Sequence, residues 1–511
     1  MCRHTAFRIS LKKKEDSTNM SGLKNVDKRE FLIFVGIFLS LAVIFFPLPL
    51  DPDLGWHLKM GEYIFNNRSV PLYDWFSYTM RGYAWADSYW LTQVIMHLLY
   101  KFGGLVLLTG FFSFISAGSV LLAGRIKKLC SFRELLILLV FSLLIRAAHL
   151  GVRPLVFSSV FLVITWNVLK DFIYERKVKG LIVLPFVFLI WANMHADFVA
   201  GLLLVAGVLF VESFLSLCKK AVGVGRGLFY LLCSLLLSIA ATFVNPYRGF
   251  LWETLLKETS PLQFAYIAEW GTPSDKDPYL FYLYILVLSI TFIILWYRRK
   301  QLRLSEILAV AVVGLISVRF TYAIRPFILL ALGLWIRYFN FETFLGKKIV
   351  LPPNNSKLVR GFFWFYGFAL VFYVLYTFVP TVTLLFSEGK VLEKGGYPVK
   401  AVKFLRENSY NGNIFNTYGW GGFLIWKYPE AKTFIDGRMP SWSENEKSIF
   451  AHYIDISMVK INAGELIRSY KIDYFLIEKD STLAKALEIN SFWEKTYSDN
   501  ISVIYKRKAE W

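Results

Sequence analysis

Apolar runs of membrane-spanning length, separated by short clusters of lysine and arginine, constrain this chain more than any other feature. A helix that crosses a bilayer needs about 20 mostly apolar residues. Runs of that kind predict helices near 31–50, 104–123, 134–152, 154–170, 180–196, 198–217, 227–244, 279–297, 304–320, 322–338 and 361–385. That makes about eleven spans. The stretch 60–102 is expected to form amphipathic helices lying at the membrane surface, with Trp75, Trp85, Tyr89 and Trp90 as interfacial anchors.

The basic clusters fix the expected orientation. The N-terminal tail, Arg125 to Arg133, Lys170 to Lys179, Lys219 to Arg226, Arg298 to Arg303 and Lys347 to Arg360 all fall on alternate connections. With the first helix starting inside, every cluster lands in the cytoplasm. The formal charge of +20 is therefore a matter of topology, and it gives no continuous groove for nucleic acid. Of the four cysteines, Cys2, Cys130, Cys218 and Cys233, none falls in a segment expected outside the cell, so no disulfide framework is implied. The basic start followed by an apolar run mimics a signal peptide. The run to Leu50 is too long for one and lacks an A-x-A-like end, so it is expected to be an uncleaved first helix.

This topology places 51–103, the turn near 149–153, 193–198, 245–278 and 319–325 on the outer side, together with everything after 385. The polar chemistry gathers there: Asp51, Asp53, His57, Asp74 and Asp87, then His149 and Arg153, then Asn193, His195 and Asp197. Asn245, Arg248, Glu269 and Trp270 follow, then Arg319, Tyr322 and Arg325. Carboxylates, imidazoles and guanidiniums thus converge on one face of the bilayer. The expected organisation is a cytoplasmic tail (1–30), a polytopic helical membrane region (31–387) with a large first outer loop (51–103), and a soluble extracytoplasmic α/β domain (388–511). In that last part Thr433–Ile435 and Asp473–Ile477 read as buried strands, and 400–407 and 444–453 as helices.

Each polar residue has a plain reading beside a chemical one. Asp51 and Asp53 can cap a helix end; alternatively, one of them serves as general base toward an acceptor hydroxyl, or the two help hold a divalent cation such as Mg or Mn. His57 and His195 each lie near an aspartate, but no H-x-E or H-E-x-x-H spacing supports a dedicated zinc site. Arg153, Arg248, Arg319 and Arg325 at outer helix ends suit phosphate oxygens, whereas a single arginine at this depth also snorkels to head groups. Glu269 and Trp270 offer an acid and a stacking platform for a sugar. Arg146 falls inside a span and needs a partner in the bundle or at its outer surface. In Phe434-Ile435-Asp436-Gly437-Arg438, Arg438 is placed to pair with Asp436 or to reach the membrane site. No phosphate-binding glycine loop of a familiar type is present.

The segments D-P-D-L-G-W-H (51–57), G-E-Y-I (61–64), V-P-L-Y-D-W-F-S-Y-T (70–79) and W-L-T-Q-V (90–94) resemble the GT-C superfamily of membrane glycosyltransferases. W-A-N-M-H-A-D-F (191–198), N-P-Y-R-G (245–249), E-W (269–270) and the Trp-Gly-Gly and Ile-Asp-Gly-Arg segments extend the resemblance over most of the chain. It implies an enzyme of the bacterial plasma membrane that takes a sugar from a polyprenyl-phosphate carrier and passes it to an envelope glycan, lipid or protein outside the cytoplasm. The family's first-loop aspartate, as base or metal ligand, corresponds to Asp51 or Asp53. His57, Trp56, His195, Asp197, Glu269, Trp270, Arg153, Arg319 and Arg325 would then contact substrate. A transporter of lipid-linked sugar and a non-catalytic membrane scaffold are the rival expectations.

Overall fold

A computed structural model describes residues 28–126, 132–147, 151–219, 225–257, 261–267, 270–273, 278–339, 357–410, 412–444 and 447–508. His149, Glu269 and the tail 1–27 lie outside them. The bundle comprises α1 (Lys28–Ile44), α2 (Leu54–Asn67), α3 (Trp90–Ala123), α4 (Phe132–Ala147) and α5 (Leu155–Glu175). It continues with α6 (Val183–Ala192), α7 (Phe198–Lys219), α8 (Gly225–Ala241), α9 (Gly249–Lys257) and α10 (Pro261–Tyr266). Then come α11 (Pro278–Arg298), α12 (Leu304–Arg319), α13 (Ile324–Tyr338) and α14 (Lys357–Tyr373), the last running through π-helical Val374–Phe378 into α15 (Val379–Leu385). Five helical stretches among the described residues are long and apolar enough to cross a membrane: 90–123, 155–175, 198–218, 281–298 and 364–385. They mark the chain as an integral membrane protein.

The first loop departs from the expected surface helices. Only α2 and the start of α3 are helical, and 68–89 is irregular. Asp74 organises this segment: Oδ1 accepts the Phe76 N–H at 3.2 Å, and Oδ2 accepts the Ser77 N–H at 3.1 Å and its hydroxyl at 2.6 Å. A side chain that answers the backbone locally competes with helix formation. Helix α3 breaks at Gly103–Gly104, where Gly104 has φ +58°, a conformation glycine adopts at little cost. Trp85 is not an interfacial anchor. It is buried at 4% exposure, in a core that loop 51–103 shares with the C-terminal part.

That C-terminal part carries a four-stranded sheet in the order β1 (Ile414–Asn416), β4 (Tyr474–Glu478), β6 (Ser502–Arg507), β5 (Trp493–Ser498), while β2 (Ser443–Glu444) and β3 (Lys447–Ser448) form a separate small hairpin. β1 runs parallel to β4 with Ile414 opposite Tyr474, and the other pairs are antiparallel. Thr433–Ile435, expected as a strand, makes only isolated bridges from Thr433 to Ser77 and Ile414. The side chain of Asn416 takes over the ladder: its Oδ1 accepts the Phe434 N–H at 2.9 Å and its Nδ2 donates to the Ile435 carbonyl at 2.8 Å. The helix expected over 444–453 begins later, as Ile449–Ser457, after the hairpin.

Glycines let the two parts close on each other. Helix Gly421–Lys427 lies against α2. A Cβ on Gly55 would sit 2.1 Å from the Gly422 carbonyl oxygen, and one on Gly422 would sit 2.3 Å from that of Pro52. No side chain fits at either position without moving backbone. The C-terminal sheet is thereby seated on the loop that carries the paired aspartates.

Candidate active site

Asp51 and Asp53 lead into α2. The Asp53 N–H donates to Asp51 Oδ1 at 2.8 Å, and Asp51 Oδ2 pairs with Arg153. Both oxygens of Asp51 are engaged, so it holds Arg153 and the turn in place. Asp53 Oδ1 accepts the Trp56 indole N–H at 3.0 Å, and its Oδ2 has no hydrogen bond among the described residues. Gly437 packs against this carboxylate so closely that a Cβ would sit 1.8 Å from Oδ1. Burial pushes the Asp53 carboxyl up to about 6; the Trp56 hydrogen bond and Arg438 pull against the rise, and Asp436 adds to it. The Ile435-Asp436-Gly437-Arg438 turn is thus a wall of the same site.

Arg153 stands at the start of α5, one residue before Pro154. Burial lowers its guanidinium to about 10, an effect opposed by the Tyr397 and Tyr418 phenols. Both phenols are pushed up, by burial first and then by the charge on Asp53. Arg325 is buried in the first turn of α13, within electrostatic range of Arg153 and Asp197. Two phenols therefore lie within electrostatic range of the half-buried Asp53, next to the Asp51–Arg153 pair, and Arg325 lies within range of Arg153.

The imidazoles line the neighbouring wall. The His57 ring lies 3.7 Å from that of Trp56 and 5.4 Å from that of Tyr89, which in turn lies 5.2 Å from His195. His57 Nδ1 faces the Gln93 amide nitrogen at 3.1 Å, and His195 Nδ1 accepts the Asp197 N–H at 3.1 Å. An Nδ1 that accepts from an amide leaves the ring neutral with its proton on Nε2. Burial lowers both pKa values, and the charge of Arg438 adds to this at His57 and that of Arg325 at His195. Behind them Asp87 is fully buried, its Oδ1 accepting the Tyr89 N–H at 2.9 Å. Burial raises its carboxyl to about 7, against hydrogen bonds from the Tyr89 backbone and Gln93.

The loops expected on one face do converge. The Trp90 indole donates to Asn193 Oδ1 at 2.9 Å, the Thr92 hydroxyl to the Met194 carbonyl at 2.9 Å, and the Tyr247 phenol to the Pro71 carbonyl at 3.0 Å. Trp270 borders the cluster through Tyr322, whose ring lies 5.0 Å away and whose phenol feels Asp197. Arg319 is not drawn in; it is exposed, with its guanidinium 5.2 Å from the Phe320 ring centre. Gln93, Tyr397 and Tyr418 carried no sequence signal of a role, although Gln93 lies within the W-L-T-Q-V segment, and Tyr89 was expected only as an interfacial anchor. As for the divalent cation, no group of three His, Cys, Asp or Glu among the described residues is placed to share a metal. The donor set around Asp51 is already committed to Arg153 and a backbone N–H, so it fits a cation poorly.

Below this layer Arg438 is fully buried. It bonds Asp436 at 2.7 Å and Asp74 at 2.8 Å. Phe76, Trp442, Trp85 and Trp56 ring it with centroids 5.0 to 6.0 Å from its guanidinium carbon. Burial opposes the charge, but Asp436 and Asp74 more than offset this and hold the pKa above the usual arginine range.

No protein-family profile matches this chain, and no curated protein does. Among solved structures it is similar to ArnT from Cupriavidus metallidurans in the apo state, at 14% identity and a TM-score of 0.47, over 93% of this chain and 98% of that one. The same protein bound to undecaprenyl phosphate gives 14% and 0.46, over 94% and 98%. The archaeal oligosaccharyltransferase AglB from Archaeoglobus fulgidus, in complex with an inhibitory peptide and a dolichol-phosphate, gives 10% and 0.48, over 93% and 74%. These structures belong to the GT-C superfamily.

Proposed function

We propose that the chain is a membrane glycosyltransferase that moves a sugar from a polyprenyl-phosphate carrier to an acceptor on the extracytoplasmic side of a bacterial plasma membrane. The observation that carries this reading is Asp53: a half-buried carboxylate raised to about 6, with one oxygen uncommitted among the described residues, two positions from Asp51 and its partner Arg153, with Arg325 within electrostatic range of Arg153. Asp53 takes the proton from an acceptor hydroxyl, and the oxygen attacks the anomeric carbon. The bond from that carbon to the phosphate oxygen breaks on the opposite face, which inverts the centre. The electron pair leaves on the lipid phosphate, and guanidiniums stabilise the charge that develops there. Neutral His57 and His195, with Trp56 and Tyr89, line the pocket as hydrogen-bonding and stacking surfaces for a sugar. The alternation of basic clusters along the sequence supports a cytoplasmic N-terminus and an outward-facing site.

The test is mass spectrometry of envelope glycans in a host lacking the gene, complemented either with the wild type or with Asp51→Asn/Asp53→Asn. A sugar mass that returns only with the wild type supports transfer; its return with the double variant would sink this reading. The pH profile follows from the same group. The carboxylate is the working form of the base, so kcat/KM is expected to fall about tenfold per pH unit below about pH 6 and to level off above it. Stability runs the other way: between the ordinary value of 3.8 and about 6 the folded protein keeps a proton that the unfolded chain has released. The contribution of Asp53 to stability therefore declines as pH rises through that window.

A further inference from the structure

Arg146 lies in the last turn of α4, away from the cluster just described. Its Nη1 donates to the carbonyl of Ile44, the last residue of α1, and to the Tyr373 hydroxyl at 2.8 Å. The guanidinium carbon lies 5.8 Å from the centre of the Tyr373 ring. Neither partner compensates its charge, and no carboxylate pairs with it among the described residues. It stands at a groove of about 250 Å³ lined by Ile44, Leu139, Leu143, Tyr366 and Tyr373 among others, nearly all of whose surface is apolar. On the far side runs 364–385, a stretch long and apolar enough to span a membrane, almost none of which is buried in the protein. Immediately after Tyr373 the helix passes into the π-helical turn Val374–Phe378, a departure from α geometry that recurs where helices bind something.

A cation inside a bilayer is costly unless it is paired, and an apolar groove facing lipid fills with a hydrocarbon chain. We propose that this groove is a binding site for one anionic phospholipid of the surrounding bilayer, with a chain between α4 and α14 and its phosphate on Arg146. The charge selects the anionic headgroup, and the apolar lining takes the chain. No residue of the groove belongs to the Asp53 cluster, so the occupant is a resident lipid and is not consumed. It completes the packing of α14, which among the described residues contacts mainly its own continuation.

Native mass spectrometry of the full chain, released from nanodiscs of phosphatidylglycerol and phosphatidylcholine in equal parts, tests the proposal. Wild type is expected to retain one phosphatidylglycerol with about tenfold preference, the value of one charge-assisted contact, and to melt at higher temperature when that lipid is present. Arg146→Gln keeps an amide to donate to the Ile44 carbonyl, so the end of α1 stays satisfied, but it is expected to lose the preference. Ala369 also lines the groove, and Ala369→Trp, which fills it and leaves the charge, is expected to lose the bound lipid. Retention of phosphatidylglycerol by Arg146→Gln at wild-type level, or equal retention of phosphatidylcholine by wild type, would overturn the proposal. So would displacement of the lipid by added polyprenyl phosphate, since the groove would then serve the donor.

Discussion

Asp53→Asn is expected to lower transfer by about 10²- to 10⁴-fold while the protein inserts and folds as before. Asparagine is isosteric, and its carbonyl oxygen still accepts the Trp56 indole N–H that Asp53 Oδ1 accepts at 3.0 Å. What is lost is a group that can take a proton. The loss should appear in kcat, with little change in KM for the donor, because Arg153 and Arg325, the proposed phosphate contacts, are unchanged. Asp51→Asn should behave differently. It weakens the pair with Arg153 and leaves a cation without its carboxylate, so donor binding suffers first. Steady-state kinetics of both variants in nanodiscs separates the two roles. Full activity of Asp53→Asn would remove it as the base, and a KM defect there in place of a kcat defect would make it a binding group.

The second large effect is structural. Arg438→Met is expected to destabilise the protein by about 3–5 kcal/mol, the usual cost of removing one partner from a buried ion pair. Asp74 and Asp436 would then face each other in a site that is fully enclosed, and four aromatic rings would lose their cation. A thermal-shift assay in detergent reads the loss. Arg438→Lys keeps the charge but cannot fork between two carboxylates, so it should fall between wild type and Arg438→Met. Asp74→Asn/Asp436→Asn added to Arg438→Met removes the stranded charges and should recover part of the stability. No recovery would mean that packing around the guanidinium, and not its charge, carries the effect. Because Arg438 also lowers the Asp53 carboxyl, its removal should move the acid limb of the pH profile upward in whatever protein folds.

Legibility in the sequence followed the range of each force. Apolar burial by a membrane span is a one-dimensional property, so helices overlapping the expected apolar runs are found, whereas α2, α9, α10 and the first turns of α3 lie outside those runs. The break between α6 and α7 at Asn193–Asp197, the least regular of them, was visible as a short polar link. The convergence of outer loops followed from alternating topology alone, and it brought His57, His195, Asp197, Arg153 and Arg325 into range of one another. The irregular stretch 68–89 was not readable, because it is held by Asp74 binding its own neighbours and an arginine 364 positions later.

The sequence by itself determined that this is a helical membrane chain, that its acids and guanidiniums gather at one end, and that a separate composition begins after Ser387. Only the tertiary structure shows how the surroundings of the two aspartates differ: Asp51 is engaged by Arg153 and a backbone N–H, while Asp53 meets the Trp56 indole and Gly437 of the C-terminal part. It alone showed that this part is a wall of the site, through Gly437 and Arg438. Those contacts depend on backbones approaching to distances that only glycine permits, and on a charge hidden among aromatic rings. Neither leaves a periodic trace, because both are made by residues far apart in the chain and close only in space.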